Sequence, residues 1–233
     1  MSAITELIPS LVCLSGSSKE KNDLLNSLPC GRIHVDIGFG DDVPTGFFRE
    51  EDFTESERAL FDAAVDFHIC DNRYAHEWAS LPYRVGDRAI VHVYPWAEHD
   101  EVAAKLNVLN QMGIRIGIAL DIKTSIHALS SYVGAVEMIL VMANVVGQRG
   151  VPLSHQARSR IVEVNALTEL KLPKIKIGID GGVSDSTFNW ISGLSDSIVL
   201  GSLLFDVGDI AYRWRFLNER IIKSAVEVGS LYD

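Results

Sequence analysis

The chain has 233 residues, of which 47% are hydrophobic and 22% charged, so it can bury a large core and is too apolar to be disordered throughout. Its formal net charge of −10 argues against nucleic acid or an anionic membrane as the main partner. The first residues lack the pattern of a signal peptide, no apolar run is long enough to span a membrane, and the three cysteines have no CxxC spacing. These features predict a cytoplasmic protein.

Short runs rich in Val and Ile recur along the chain and predict eight strands, at residues 8–15, 32–39, 65–71, 88–95, 114–121, 137–145, 174–180 and 197–205. Most are apolar at nearly every position, which is typical of parallel strands covered on both faces. Helical patterns are found between several of them and after the last, at 54–61, 100–113, 154–170 and 211–227.

This alternation of strands and helices predicts an α/β fold, most simply a single (β/α)8 TIM barrel domain over residues 1–233. An open doubly wound sheet is the alternative. It is less favoured, because no G-x-G-x-x-G motif follows the first predicted strand.

Four polar residues lie on predicted strands, and in a barrel of this kind the active site is found at the carboxyl ends of the strands. His34 and Asp36 share one face of the second strand, His68 is on the third, and Asp180 ends the seventh. Two imidazoles and two carboxylates converging on the carboxyl ends of barrel strands would make a four-ligand site for a divalent transition ion. Each alone has a plainer interpretation, as a hydrogen-bonded core histidine or a turn residue. Their joint placement favours the metal site.

Glycines form a second group near the predicted carboxyl ends of the last two strands. Gly181 and Gly182 follow the seventh strand, and Gly201 with Ser202 falls within the predicted eighth. In barrels, backbone amides of the loops after these strands commonly bind phosphate, and glycine lets the backbone approach the anion closely. The plainer alternative is that these glycines only turn the chain.

At these positions the chain resembles the ribulose-phosphate 3-epimerase family, in strand order and over nearly its whole length. The matching segments are IPSL (8–11), HVD (34–36), VP (43–44), DFHI (66–69), VHV (91–93), GIAL (117–120), LVM (140–142), IDGGVSDST (179–187) and VLGSLLF (199–205).

The resemblance implies one divalent metal ion, either Zn, Fe(II), Mn or Co, bound by His34, Asp36, His68 and Asp180. It further implies that Asp36 and Asp180 are the catalytic acid/base pair. Substrate-binding residues are expected at Ser10, His92, Met142, Gly147, Arg149, Gly150, Gly181, Gly182, Gly201 and Ser202.

The chain departs from the family pattern around this set. Gly38 stands where a methionine normally packs against the reaction intermediate, Phe39 replaces a second Asp, and Cys70 replaces another methionine. Asp41 and Asp42 add negative charge, and the fifth-strand K-P-G-T becomes part of ALDIKTS (119–125). In the loop after the sixth strand, Gly147 and Gly150 match phosphate-loop glycines. Arg149 takes the place of a third; it would bind phosphate through charged hydrogen bonds, bind another substrate group, or point into solvent.

The predicted function is therefore a metal-dependent epimerase that inverts C3 of a ketose phosphate, such as ribulose 5-phosphate, through an ene-diolate. Two alternatives stay open: a non-catalytic barrel that binds a sugar phosphate, and a phosphate-binding-barrel enzyme of aldolase or decarboxylase type. The expected partner is a small sugar phosphate, with neither nucleic acid nor membrane, and a homo-oligomer is compatible with the sequence.

Overall fold

The computed structural model describes residues 5–41, 43–70, 78–132, 134–144, 150–171 and 175–229. Within them the strands are β1 Glu6–Pro9, β2 Arg32–Gly38, β3 Phe48–Arg49, β4 Ala64–Ile69, β5 Arg88–Val93, β6 Arg115–Leu120, β7 Met138–Met142, β8 Lys176–Asp180 and β9 Ser197–Leu200. The α-helices are α1 Ser18–Leu25, α2 Glu55–Arg58, α3 His99–Gln111, α4 His155–Lys171, α5 Phe188–Ser192, α6 Ser202–Phe205 and α7 Ile210–Gly229.

The strands form one parallel sheet in the order β1-β9-β8-β7-β6-β5-β4-β2-β3. A parallel bridge between Ser10 and His34 also joins the end of β1 to β2. The sheet is therefore curled, since the strands near its two ends meet. The predicted parallel α/β fold is confirmed.

Alternation along the strands gives the sheet two different faces. On β2, the side chains of Ile33, Val35 and Ile37 belong to the large core between sheet and helices. His34 and Asp36 therefore point to the opposite, inner face, because side chains alternate along a strand. The same alternation places His68 of β4 and His92 of β5 on the inner face, where a smaller apolar cluster continues the filling: Ile90, Ala119, Met138, Leu140, Met142 and Val199.

A buried ionic network lies on the inner face next to these histidines. Asp66 is fully buried and pairs in register with His34. Its carboxylate accepts hydrogen bonds from Arg32 Nη1 at 2.7 Å and from Arg88 Nη2 at 2.6 Å. A buried carboxylate needs such partners, because an unpaired charge there would be strongly destabilising.

The element boundaries differ from the prediction in several places. The first strand ends at Pro9, and residues 11–13 form a 3-10 turn instead of continuing it. The predicted eighth strand stops at Leu200, so Gly201 and Ser202 lie at the start of α6 and not in a strand. Predicted helix 54–61 shrinks to Glu55–Arg58, while α1 and the two-residue strand β3 have no predicted counterpart. Among the described residues, no helix is long and apolar enough to cross a membrane.

Candidate functional site

The four predicted metal ligands lie together on the inner face of the sheet. One donor atom from each of His34, Asp36, His68 and Asp180 lies within 4.8 Å of all the others. Sheet register explains the grouping, because Asp36 pairs with His68 across β2 and β4, and Asp180 ends β8. β2 and β8 are distant in the strand order, but the curl of the sheet brings the side chains of His34 and Asp180 to within 3.9 Å of each other.

The ring nitrogens and carboxylates of this cluster face one another closely. His68 Nδ1 lies 2.9 Å from Asp36 Oδ1 and 3.3 Å from His34 Nε2. His34 Nε2 lies 3.6 Å from Asp36 Oδ1 and 3.9 Å from Asp180 Oδ2. The side chain of Asp180 is 20% exposed against 8% for Asp36, so Asp180 is the more open of the two carboxylates.

The surroundings of the two carboxylates shift their pKa values in opposite directions. Burial alone would lower the pKa of His34, but Asp36, Asp180 and the more distant Asp66 outweigh it and raise the pKa to about 9. Burial would raise the pKa of Asp36, yet the neighbouring His34 and His68 lower it. Burial raises the pKa of Asp180, and the negative charge of Asp36 adds to the rise against the opposing effect of His34. Asp36 therefore favours the ionised form and Asp180 holds a proton more readily.

The donor set fits a divalent transition ion. Ligand atoms bind such ions at about 2.0–2.2 Å, so two ligands of one ion lie at most about 4 Å apart, close to the spacing found here. His68 also has a partner for its second ring nitrogen, as ligating histidines usually do. His34 does not: its Nδ1 is buried with no hydrogen-bond partner among the described residues. The cluster can hold a metal ion, with His68 more firmly oriented than His34.

His92, which was predicted to contact substrate, lies behind His68. Its Nδ1 is 3.1 Å from His68 Nε2, and its Nε2 is 3.5 Å from Asp121 Oδ2. Burial lowers the pKa of His92 to about 4, which Asp121 only partly opposes, so the ring is neutral near pH 7. The ring is fully buried and packs on Tyr94, with centroids 4.3 Å apart. This position suits a role in supporting His68.

Asp121 is a site residue that the sequence reasoning did not single out. It follows β6 directly, and its Oδ1 accepts the backbone N–H of Lys123 at 2.8 Å. Burial would raise its pKa, but the hydrogen bonds from His92 and from the Lys123 amide lower it. Its only sequence signal was its place at the end of a predicted strand.

Several of the predicted substrate-binding residues line one pocket beside Asp180. The predicted members of its lining are Ser10, Gly150, Gly181, Gly182, Gly201 and Ser202. Asn144, which was not predicted, also lines the pocket and binds the carbonyl oxygen of Val151 through Nδ2 at 2.9 Å. Ser10 reaches the metal-ligand cluster too, because its Oγ donates to Asp36 Oδ2 at 3.4 Å.

Glycine is required where the loops of this pocket meet. Gly182 has φ +64°, and a Cβ there would lie 2.8 Å from the backbone nitrogen of Leu153. The loops after β7 and β8 thus approach each other backbone to backbone, with no room for a side chain at Gly182. Gly147 and Arg149 lie outside the described residues.

The remaining predicted residue and the family departures lie around this site. Met142 is buried in the inner apolar cluster, next to Asp180 in register, and Cys70 is buried just after β4. Phe39 belongs to the main core. At Gly38, a Cβ would lie 2.7 Å from Val43 Cγ1, so the Val43 side chain packs directly against the glycine.

Fold and site together define a class: a parallel α/β protein with a buried histidine–aspartate cluster next to a glycine-lined pocket. Residues 6–205 match the Ribulose-phosphate 3 epimerase family, and the chain belongs to that family.

The fold of this chain is also similar to the folds of several solved structures. The 3-hexulose-6-phosphate synthase of Salmonella typhimurium has a TM-score of 0.67 at 15% identity, with 94% of this chain and 100% of that chain covered. The 3-keto-L-gulonate-6-phosphate decarboxylase of Vibrio cholerae has a TM-score of 0.66 at 12% identity, with 95% and 99% covered. Tryptophan synthase of M. tuberculosis has a TM-score of 0.56 at 17% identity, with 95% and 92% covered. These likenesses concern the fold alone.

Proposed function

We propose that this chain is a single-domain (β/α)8 barrel enzyme that inverts C3 of a ketose phosphate with one divalent metal ion. The observation that carries the proposal is the cluster of two carboxylates and two imidazoles, from β2, β4 and β8, beside a glycine-lined pocket. Membership of the Ribulose-phosphate 3 epimerase family supports it.

The two carboxylates suit the acid/base roles. Epimerisation next to a ketone removes a C–H proton from one face and returns a proton to the other, so it needs a base and an acid. Asp36 and Asp180 have environments that shift their pKa values in opposite directions, a pattern that assigns one to accept and the other to deliver a proton. They come from strands on different sides of the curled sheet and so can approach a substrate from two directions.

His34, Asp36, His68 and Asp180 would hold the ion, either Zn²⁺, Fe²⁺, Mn²⁺ or Co²⁺ by the chemistry of their donors. A bound ion would supply Lewis-acid stabilisation of the negative charge that develops on the substrate oxygens. The pocket amides around Gly181 and Gly201 would orient the phosphate, which fixes the reacting carbon near Asp180.

The test is solvent-deuterium incorporation at C3 across a panel of ketopentose and ketohexose phosphates, with each of the four metals added. Exchange with at least one substrate is expected from the wild-type protein. Asp36→Asn and Asp180→Asn should each abolish it, while Asp23→Asn, a matched change on the exposed face of α1, should not. Exchange retained in either site variant would refute the acid/base assignment.

A second candidate is an aldolase- or decarboxylase-type reaction on a sugar phosphate. It is favoured by the fold likeness to a synthase and a decarboxylase and by the replaced residues at Gly38 and Cys70. The same substrate panel detects an aldolase, since formaldehyde would be released from a ketohexose phosphate. A decarboxylase is detected by adding a phosphorylated β-keto sugar acid to the panel, because only a substrate with a carboxylate can release carbon dioxide. A protein that binds the sugar phosphates without any turnover would instead be a binding module.

A further inference from the structure

A line of hydrogen-bonding groups runs from the metal-ligand cluster away to the end of β6. It begins at His68, continues through His92 and ends at Asp121, with separations of 3.1 Å and 3.5 Å between the facing atoms. All three residues are buried. Within the described residues, Nε2 of His92 makes no hydrogen bond of full geometry, and Asp121 Oδ2, 3.5 Å away, is the carboxylate oxygen that faces it.

Each group in this line constrains where the next one carries its proton. Asp121 Oδ1 is engaged by the Lys123 amide, and Oδ2 faces His92. An ionised carboxylate only accepts hydrogen bonds, so the ring nitrogen opposite it must carry the proton. A neutral imidazole has one N–H, and therefore His92 Nδ1 is left as an acceptor. It follows that His68 must donate through Nε2.

From these constraints we infer that Asp121 and His92 are positioning residues, which hold His68 in the tautomer whose Nδ1 lone pair faces His34 and Asp36. This inference rests on the proposed function in so far as that lone pair is meant for a metal ion. Ring packing reinforces the arrangement, because His92 is stacked against His68 at 5.3 Å and 23° and against Tyr94 at 4.3 Å.

The opposite tautomer is the competing state, which is why such a device is needed. Asp36 Oδ1 lies 2.9 Å from His68 Nδ1 and would readily accept a proton carried there. A proton on Nδ1 would block this nitrogen as a metal ligand. Through His92, Asp121 opposes that state from the far side of the ring.

Asp121→Asn should reverse the direction of hydrogen-bond donation between residue 121, His92 and His68. The amide oxygen would take over the Lys123 N–H, and the NH₂ group would then face His92 Nε2 as a donor. His92 would have to carry its proton on Nδ1 and donate to His68 Nε2. His68 would in turn be protonated on Nδ1, which faces the cluster.

The direct test is ¹⁵N NMR of histidine-labelled, metal-free protein, in which side-chain shifts and couplings report the tautomer of each ring. Wild-type protein should show His68 and His92 both protonated at Nε2, and Asp121→Asn should show both protonated at Nδ1. Zn²⁺ affinity, measured by competition with a chromophoric chelator, should fall about 10- to 100-fold in the variant. Asp23→Asn is the matched control and should change neither reading.

A wild-type His68 protonated only at Nδ1 would overturn the inference, and this reading needs no variant to fold. So would an Asp121→Asn protein with the wild-type tautomers and Zn²⁺ affinity within twofold of wild type. Failure of the proposed function looks different: no C3 exchange on any substrate, with the tautomers as expected.

Discussion

Gly38→Ala should destabilise the protein, because the Val43 side chain already occupies the position of the new methyl group. The added Cβ would lie 2.7 Å from Val43 Cγ1 and 2.9 Å from Cγ2. Overpacking of this kind costs about 1–3 kcal/mol. Gly38 does not have a positive φ, so alanine fits the backbone and recovers about 0.4–1 kcal/mol through the unfolded chain. The expected net loss is about 1–2 kcal/mol in the free energy of unfolding.

A double-mutant cycle in urea, with Val43→Ala as the second change, tests the cause. Removing both Cγ atoms leaves only the Val43 Cβ near the new methyl, at 3.2 Å, so Gly38→Ala should then be nearly neutral. The coupling energy should be about 1–2 kcal/mol, which lies within the range of about 0.5–3 kcal/mol found for residues in contact. Gly31→Ala is the control, since a Cβ there meets nothing within 4 Å. Additive effects of the two changes would refute this account of Gly38.

Three further outcomes are expected. Asp87→Ala should lower the unfolding free energy, measured in urea, by about 3–5 kcal/mol. Arg58 binds Asp87 through both Nε and Nη2, and the change would leave it as an unpaired buried charge. A loss below about 1 kcal/mol would contradict this. In metal-free protein, protonated His34 should stabilise the fold by about 3 kcal/mol below pH 6.5, and this contribution should be lost as pH rises through its folded pKa of about 9. The resulting fall in unfolding free energy with pH should vanish in His34→Gln. A flat wild-type profile would refute the prediction. Gly182→Ala should weaken inorganic phosphate binding about tenfold or more in calorimetry, because the new methyl group would strike the Leu153 backbone and residue 182 has a φ of +64°. Gly193→Ala is the control and should leave binding unchanged. Unchanged binding in Gly182→Ala would argue against the pocket as the phosphate site.

The sequence predicted the strands that carry the cluster because their patterns are simple. β2 and β4 combine nearly continuous burial with polar residues two positions apart, and register then brings Asp36 opposite His68. The family resemblance supplied the partner from β8. Nothing in local patterns predicts that His92 lies behind His68, since that depends on how two rings pack across neighbouring strands.

The errors in element boundaries arose from short apolar runs and an overlooked cap. The run SIVLGSLLF was interpreted as one strand, but Gly201 ends it and Ser202–Phe205 turns into a helix; periodicity cannot separate the two in so short a run. By contrast, α1 has a detectable start signal. Ser17 and Glu20 form a capping box that an S-x-x-E pattern would have revealed.

Several departures from the family pattern lie at or just beyond the carboxyl ends of strands. The four predicted metal-ligand positions lie on strands, where register and burial fix each side chain. Gly38 and Cys70 lie at the last residue of β2 and directly after β4, and Asp121 follows β6. The loop after β2 is held in place by Arg49 of β3, which donates hydrogen bonds to the carbonyl oxygens of Gly40 and Asp41. On the proposed function, the strands would carry the metal-binding and acid/base groups and the loops the substrate contacts, so the changed loops would bear on the choice of sugar phosphate.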